Sequence, residues 1–222
     1  MKIAILGNGR MGKHISELAK KRGHIIVCVS SSENPANTLD VSTADVAVDF
    51  STPTTAFNNI KHAIESGIPV ISGTTGWLNK LSEIEELCIS KSGAFLYTSN
   101  FSLGMNIFFE LNKKLAKLIK DQNYKSTIHE IHHTQKLDSP SGTAKTLWKQ
   151  MDGILKNNTP ITTERIVDET GTHTVTYRSS VDEIEIKHTA KNRDGFAMGA
   201  IIAAEWIQNK KGIFNMQDVL VQ

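Results

Sequence analysis

The segment from Glu130 to Ala144, EIHHTQKLDSPSGTA, sets two imidazoles, a lysine and a turn of small residues side by side. His132 and His133 can hold or release a proton near neutral pH, and Lys136 carries a lasting positive charge. Ser141, Gly142 and Thr143 read as the opening of a helix, where free backbone N–H groups attract anions. Such a cluster suits a small, negatively charged substrate that must be protonated. The histidines of His129-x-x-His132-His133 do not imply a metal: no cysteine joins them, and neighbours on a strand face opposite ways. No metal is expected.

A second candidate lies at the start of the chain. The apolar run Lys2 to Leu6 leads straight into Gly7-Asn8-Gly9-Arg10-Met11-Gly12, a GxGxxG pattern between a strand and a helix. Glycines there allow a tight turn and close backbone approach, so that a pyrophosphate can rest on the helix N-terminus. The acidic residue that often receives the adenosine ribose is missing from the end of the next strand, where Ser30, Ser31 and Ser32 stand. Preference between NADH and NADPH is therefore open. Gly73-Thr74-Thr75-Gly76 and Ser99-Asn100-Phe101-Ser102 also follow apolar strands directly, at the edge where open α/β sheets bind ligands.

The elements that must position these groups fall into two kinds. Strands 2–6, 25–29, 46–50, 68–72 and 94–97 are continuously apolar, and helices of amphipathic spacing stand between most of them, closing at Gly23 and Gly67. This is the grammar of parallel βαβ units with both sheet faces covered. The stretch up to Ala44 has no strand of its own, so the sheet is expected to be abbreviated at that edge.

Beyond Asn100 comes a long helix with Met105, Phe108, Leu111, Leu115, Leu118 and Ile119 on one stripe. Segments 161–167, 173–178 and 183–189 then read as antiparallel strands, the last alternating strictly. A final helix with Phe196, Ala200, Ile201, Ala204 and Ile207 is expected to return to the first domain. The expected fold is α/β: a Rossmann-like parallel-sheet domain of residues 1–101 and 194–222, and an inserted α+β domain, 102–193, with a mixed or antiparallel sheet.

Composition narrows the partners. The chain has 222 residues, 39% of them hydrophobic, and a net charge of +2 without any block of like charge, which argues against nucleic acid or a membrane. No apolar stretch approaches the roughly 20 residues of a membrane span, and the N-terminal apolar run is too short for a signal peptide. Cys28 and Cys88 have neither metal-ligand nor CxxC spacing and read as buried thiols. A soluble cytoplasmic protein is expected.

Taken together, GxGRMG, DFS at 49–51, GTTG at 73–76, SNFSLGMN at 99–106, EIHHTQKLDSPSGTA and RDGFAMGA at 193–200 resemble the 4-hydroxy-tetrahydrodipicolinate reductases, also called dihydrodipicolinate reductases. The resemblance spans nearly the whole chain, and HHxxKxDSPSGTA is its most specific part. It implies reduction by NADH or NADPH of a cyclic unsaturated dicarboxylate to tetrahydrodipicolinate, in lysine and diaminopimelate biosynthesis. It also implies a homotetramer whose second domains pair through their sheets. His132 would be the proton donor and acceptor and Lys136 a proton donor or charge partner, while His133, Gly142 and Thr143 would bind the substrate carboxylate. Gly7, Asn8, Gly9, Arg10, Met11 and Gly12, with Gly73, Thr74 and Thr75 and with Thr98, Ser99, Asn100 and Phe101, would bind the cofactor. The first glycine loop is one residue shorter than the family's common GxxGxxG, a departure at the adenosine end. Another Rossmann dehydrogenase or a nucleotide-sensing protein would explain the first hundred residues but not the HHTQKLDSPSGT segment.

Overall fold

The computed structural model describes residues 1–221. In chain order its elements are β1 (Lys2–Leu6), α1 (Arg10–Lys21), β2 (Ile25–Ser30), β3 (Val46–Asp49), α2 (Ala56–Glu65), β4 (Val70–Ser72), α3 (Leu81–Ser90), β5 (Ala94–Tyr97), α4 (Leu103–Ile119), β6 (Lys125–His132), α5 (Gly142–Leu155), β7 (Ile161–Arg165), β8 (Thr172–Arg178), β9 (Glu183–Thr189), α6 (Asp194–Ile207), β10 (Gly212–Phe214) and α7 (Met216–Leu220). They form two compact units, Met1–Leu103 with the chain from Asp194 onward, and Gly104–Arg193.

The first unit is a six-stranded sheet in the order β10-β5-β4-β3-β1-β2, every pair parallel. Successive side chains of a strand face opposite ways, so each strand feeds two cores. Ile3, Ile5, Val46 and Val48 pack with Ile15, Ala19, Ala200, Ile201 and Ala204 of α1 and α6. Ala4, Leu6, Ala47 and Val70 pack with Ile60, Ala63, Ile84 and Cys88 of α2 and α3. Helix α6 thus completes the first unit, as its apolar composition suggests.

Between β2 and β3 the only helical feature is a 3-10 turn, Ala36–Thr38, and the sheet ends at β2. That edge position leaves Ile25 exposed and Cys28 only half-buried, which corrects the expectation of two buried thiols; Cys88 alone is fully buried. On the far edge the sequence reading missed β10 and α7, which have 3 and 5 residues and are too short for periodicity to register.

The second unit is a four-stranded sheet in the order β7-β6-β8-β9. Residues 161–165 do not form the expected antiparallel strand. β7 runs parallel to β6, because α5 intervenes as a crossover, while β8 and β9 are antiparallel to their neighbours. Helices α4 and α5 cover one sheet face with Met105, Phe108, Phe109, Leu147 and Met151 against Ile128, Val175 and Tyr177. The stripe on α4 is rotated from the expected one. Asn112 is fully buried because its side-chain oxygen accepts the Tyr177 hydroxyl at 2.7 Å, while Leu111 and Leu118 are exposed. Among the described residues no helix is long and apolar enough to cross a membrane.

Candidate active site

The glycine turn has the geometry its spacing implies. Gly7 has φ +115°, and a Cβ there would sit 2.3 Å from the Phe50 carbonyl oxygen; a Cβ on Gly12 would sit 1.9 Å from the Gly7 carbonyl oxygen. Neither position can hold a side chain without moving backbone. Gly9 caps α1, and a Cβ there would meet nothing within 4 Å, so this glycine leaves open space above the helix N-terminus. The turn lies at the switch point of the sheet, where β1 has β2 on one side and β3 on the other.

A cleft of about 650 Å³ opens there, lined by Gly7, Asn8, Gly9, Ser30, Ser31, Ser32, Phe50, Ser51 and Thr52 among others, none of them charged. Ser30 is tied into the turn, its hydroxyl accepting the Gly7 N–H at 2.9 Å. Ser31 closes its own loop by accepting the N–H groups of Glu33 and Asn34. Glycines that only a bare backbone can satisfy, a free helix N-terminus and an uncharged cleft fit a dinucleotide.

Gly73, Thr74 and Thr75 follow β4 as expected, but their side chains differ in use. A Cβ on Gly73 would lie 2.4 Å from the Phe50 ring, so glycine lets Phe50 pack here. Thr74 is buried, donating its hydroxyl to Asp49 at 2.7 Å and accepting the Ser51 N–H at 2.8 Å, whereas Thr75 is exposed. At the end of β5, the Thr98 hydroxyl accepts the Asn100 N–H at 3.1 Å, and Asn100 in turn accepts the Ser102 N–H at 2.9 Å. Ser99 is exposed, while Phe101 is buried against Phe50 with ring centroids 5.5 Å apart. Helix α6 holds this loop: a Cβ on Gly199 would lie 1.8 Å from the Phe101 carbonyl oxygen, which accounts for a glycine in RDGFAMGA. Arg10 and Met11 open α1, Arg10 exposed and Met11 half-buried.

In the second unit, strand alternation turns Ser126, Ile128, Glu130 and His132 of β6 to the covered face. Register then supplies their neighbours: Glu130 is paired with His173 across β8, and His132 with Arg165 across β7. The Glu130 carboxylate is completely buried. One oxygen accepts the Ser141 N–H at 3.0 Å and faces the Arg165 guanidinium at 3.5 Å; the other faces His132 Nδ1 and His173 Nε2, each at 3.6 Å. The two imidazoles meet edge to face, their centroids 4.9 Å apart.

Burial pushes the Glu130 carboxyl up, but hydrogen bonds from His173 and Ser141, and the charge that His132 gains once protonated in acid, outweigh it and bring it to about 2. Burial, and then the positive charges of His173, Lys136 and Arg165, lower His132 to about 4 against the opposing pull of Glu130. His132 is therefore a neutral imidazole at rest. His129 lies on the other face, its Nδ1 2.8 Å from the Thr162 hydroxyl, so the triple-histidine pattern does not converge. Glu130, His132 and His173 do place ligand atoms within 4.8 Å of one another, a donor set that a divalent cation also accepts. The guanidinium on the same carboxylate, with Lys136 nearby, already supplies positive charge there.

The remaining predicted residues lie on the loop between β6 and α5. His133 is half-buried directly after the strand, and Lys136 donates to Asp138 at 2.7 Å. Arg165 clamps the loop by donating to the carbonyl of Asp138 at 2.7 Å. Ser141 caps α5, its hydroxyl accepting the Ala144 N–H at 3.1 Å, and leaves Gly142 exposed and Thr143 half-exposed at the helix opening. The Ser141–Glu130 bond ties the anion-attracting helix start to the carboxylate whose other oxygen faces the imidazole of His132 at 3.6 Å. Sequence reading missed Glu130, Arg165 and His173 as members of the site. For Glu130 a signal existed, since it stands two residues before His132 and so shares its strand face; for the other two only strand register could have shown it.

The doubly covered parallel sheet with its glycine turn, joined to a unit rich in buried acid–base groups, defines an NAD(P)H-dependent oxidoreductase of the Rossmann type. Residues 1–101 match the family model described as dihydrodipicolinate reductase, N-terminus, and residues 104–220 match the one described as dihydrodipicolinate reductase, C-terminus. The chain belongs to the dihydrodipicolinate reductase family. It is 49% identical to the 4-hydroxy-tetrahydrodipicolinate reductase of Christiangramia forsetii, over 99% of this chain and 98% of that one. With the enzyme of that name from Staphylococcus aureus it shares 32% identity over 99% and 100% of the two chains. In fold it resembles a dipicolinate-bound dihydrodipicolinate reductase from Paenisporosarcina, with a TM-score of 0.81, 20% identity and 98% of each chain covered.

Proposed function

We propose that this chain reduces dihydrodipicolinate, formed as 4-hydroxy-tetrahydrodipicolinate loses its hydroxyl as water, to tetrahydrodipicolinate, a step toward diaminopimelate and lysine. The first unit is assigned to the dinucleotide: Gly7 to Gly12 take the pyrophosphate, and the loops at 73–75 and 98–101 take the nicotinamide end. The second unit is assigned to the dicarboxylate. The reduced nicotinamide, when bound, supplies the hydride.

One observation carries the reading. Glu130 holds the opening of α5 through the Ser141 N–H and faces a neutral, buried His132 at 3.6 Å, which puts an acid–base group beside an anion-binding helix start. Carboxylate groups of the substrate are held by Gly142, Thr143 and His133, with Lys136 adding positive charge. An approaching dianion favours the imidazolium, so His132 takes up a proton as the substrate binds. It then delivers that proton to the charge that develops when hydride reaches carbon, and Lys136 stabilises the same charge.

The test is oxidation of NADH and of NADPH in a coupled assay with the aldolase product of pyruvate and aspartate semialdehyde. Turnover is expected with both. No residue lining the cleft is charged, and the exposed Arg10 at the opening of α1 is the single cation assigned to the cofactor, so the two KM values are expected within about tenfold of each other, about 1.4 kcal/mol. No turnover with either overturns the proposal.

The assembly proposed is a homotetramer in the cytoplasm, with the small-molecule dicarboxylate as partner and neither nucleic acid nor membrane involved. The β6–β9 sheet supports it, since helices cover only one of its faces. Light scattering after size exclusion distinguishes a tetramer from smaller species.

A further inference from the structure

We propose that Glu130 is the positioning residue for His132: it holds the proton on Nδ1, leaves Nε2 as the nitrogen that exchanges a proton with substrate, and stabilises the imidazolium once formed. This rests on His132 being the acid–base group, as proposed above, and adds how that group is oriented.

Hydrogen-bond capacity is the argument. An ionised carboxylate accepts only, with about four lone-pair directions. One oxygen accepts the Ser141 N–H at 3.0 Å with Arg165 3.5 Å away; the other, like the buried His132 Nδ1, has no hydrogen-bond partner within reach among the described residues, and the nitrogens nearest to it are His132 Nδ1 and His173 Nε2, each at 3.6 Å. A buried carboxylate oxygen placed between two imidazole nitrogens is satisfied only if those nitrogens carry hydrogen, because two acceptors facing each other repel. Nδ1–H of His132 is therefore fixed, and its Nε2 is the free lone pair. On that side a Cβ at Gly171 would lie 3.2 Å from Nε2, so glycine keeps the nitrogen uncrowded.

His173, the register partner of Glu130, faces the same oxygen at 3.6 Å while its Nε2 also meets the Ser141 hydroxyl at 3.3 Å. The charged and titratable groups around His132 come from every packed element: Glu130 on its own strand, Arg165 on β7, His173 on β8 and Lys136 on the loop. Only Glu130 favours the imidazolium. In the proton-transfer step the Nε2–H bond breaks, a carbon–hydrogen bond forms on the substrate, the ring returns to neutral and Nδ1–H stays on Glu130.

The experiment pairs Glu130→Gln with His132→Gln and reads kcat, its pH profile and NADPH affinity. Glu130→Gln is expected to lower kcat on the order of 10²-fold. It also removes the charge that favours the imidazolium, so the alkaline fall of kcat moves to lower pH by about one unit, with NADPH affinity kept within about twofold. A kcat within about twofold of wild type and an unmoved profile overturn the positioning role, provided His132→Gln is inactive. An active His132→Gln takes down the acid–base assignment itself.

A measurement on the unaltered protein covers the case in which Glu130→Gln does not fold. With 15N-labelled histidine near pH 7, His132 is expected as the Nδ1–H tautomer. The opposite tautomer overturns the proposal. So does stoichiometric uptake of added zinc at micromolar concentration with loss of the Nδ1–H signal, because the nitrogen facing Glu130 would then be a metal ligand.

Discussion

Thr74 donates its hydroxyl hydrogen to the completely buried carboxylate of Asp49 at 2.7 Å, and through that bond the loop after β4 is tied to the end of β3. Ser72 and Ser51 donate to the same carboxylate at 2.8 and 2.6 Å, and Asn59 at 3.4 Å. Burial holds the Asp49 carboxyl above the usual carboxylate range, and these donors offset only part of that rise. The DFS and GTTG motifs are thereby one structure, a hydrogen-bonded floor beside the dinucleotide cleft.

Asp49→Ala is expected to destabilise the protein by about 3 kcal/mol, since four donors lose a buried acceptor. Urea denaturation measures the loss. The KM for NADPH should rise as well, because Ser51 lines the cleft.

The glycines of the turn separate into two kinds. Gly12→Ala forces a Cβ against the Gly7 carbonyl and should cost about 2 to 4 kcal/mol, with NADPH affinity falling at least about tenfold. Gly9→Ala has room for its Cβ and should change stability by less than about 1 kcal/mol while still weakening the dinucleotide. Thermal unfolding and fluorescence titration of the two variants check the contrast.

Acid should weaken the fold well before the carboxylates titrate. His132 is lowered from 6.5 to about 4 in the folded protein, so between those values the unfolded chain binds the proton and the native one does not. Stability is therefore full above about pH 6.5 and falls as pH drops toward 4, by at most about 3 kcal/mol for this group. His188, also lowered chiefly by burial, adds in the same direction. Glu130, held at about 2, stays ionised across this window and loses its contribution only below about 4.5. Urea midpoints from pH 7.5 to 4.5 should show a shallower slope in His132→Asn than in the wild type.

His132→Gln should depress kcat by about 10² to 10⁴-fold with a smaller change in KM, as removal of a general acid does. Thr143→Val should instead raise the KM for the dicarboxylate and leave kcat nearer the wild-type value. Steady-state kinetics on both variants separates the two roles.

Much of this was legible in the chain alone. Continuous apolar strands alternating with amphipathic helices specified the parallel sheet. GNGRMG specified the turn, because the need for glycine is set by atoms only a few residues away. The opening of α5 was legible for the same reason: a serine cap and its N–H partner stand three residues apart. What tertiary structure decided was register and pairing. The direction of β7, the burial of Thr74 on Asp49, and the meeting of Glu130 with Arg165 and His173 depend on which strands lie side by side, and no local pattern records that. Two residues sharing a strand face can be read from alternation; the residues opposite them become known only when neighbouring backbones exchange hydrogen bonds in one register.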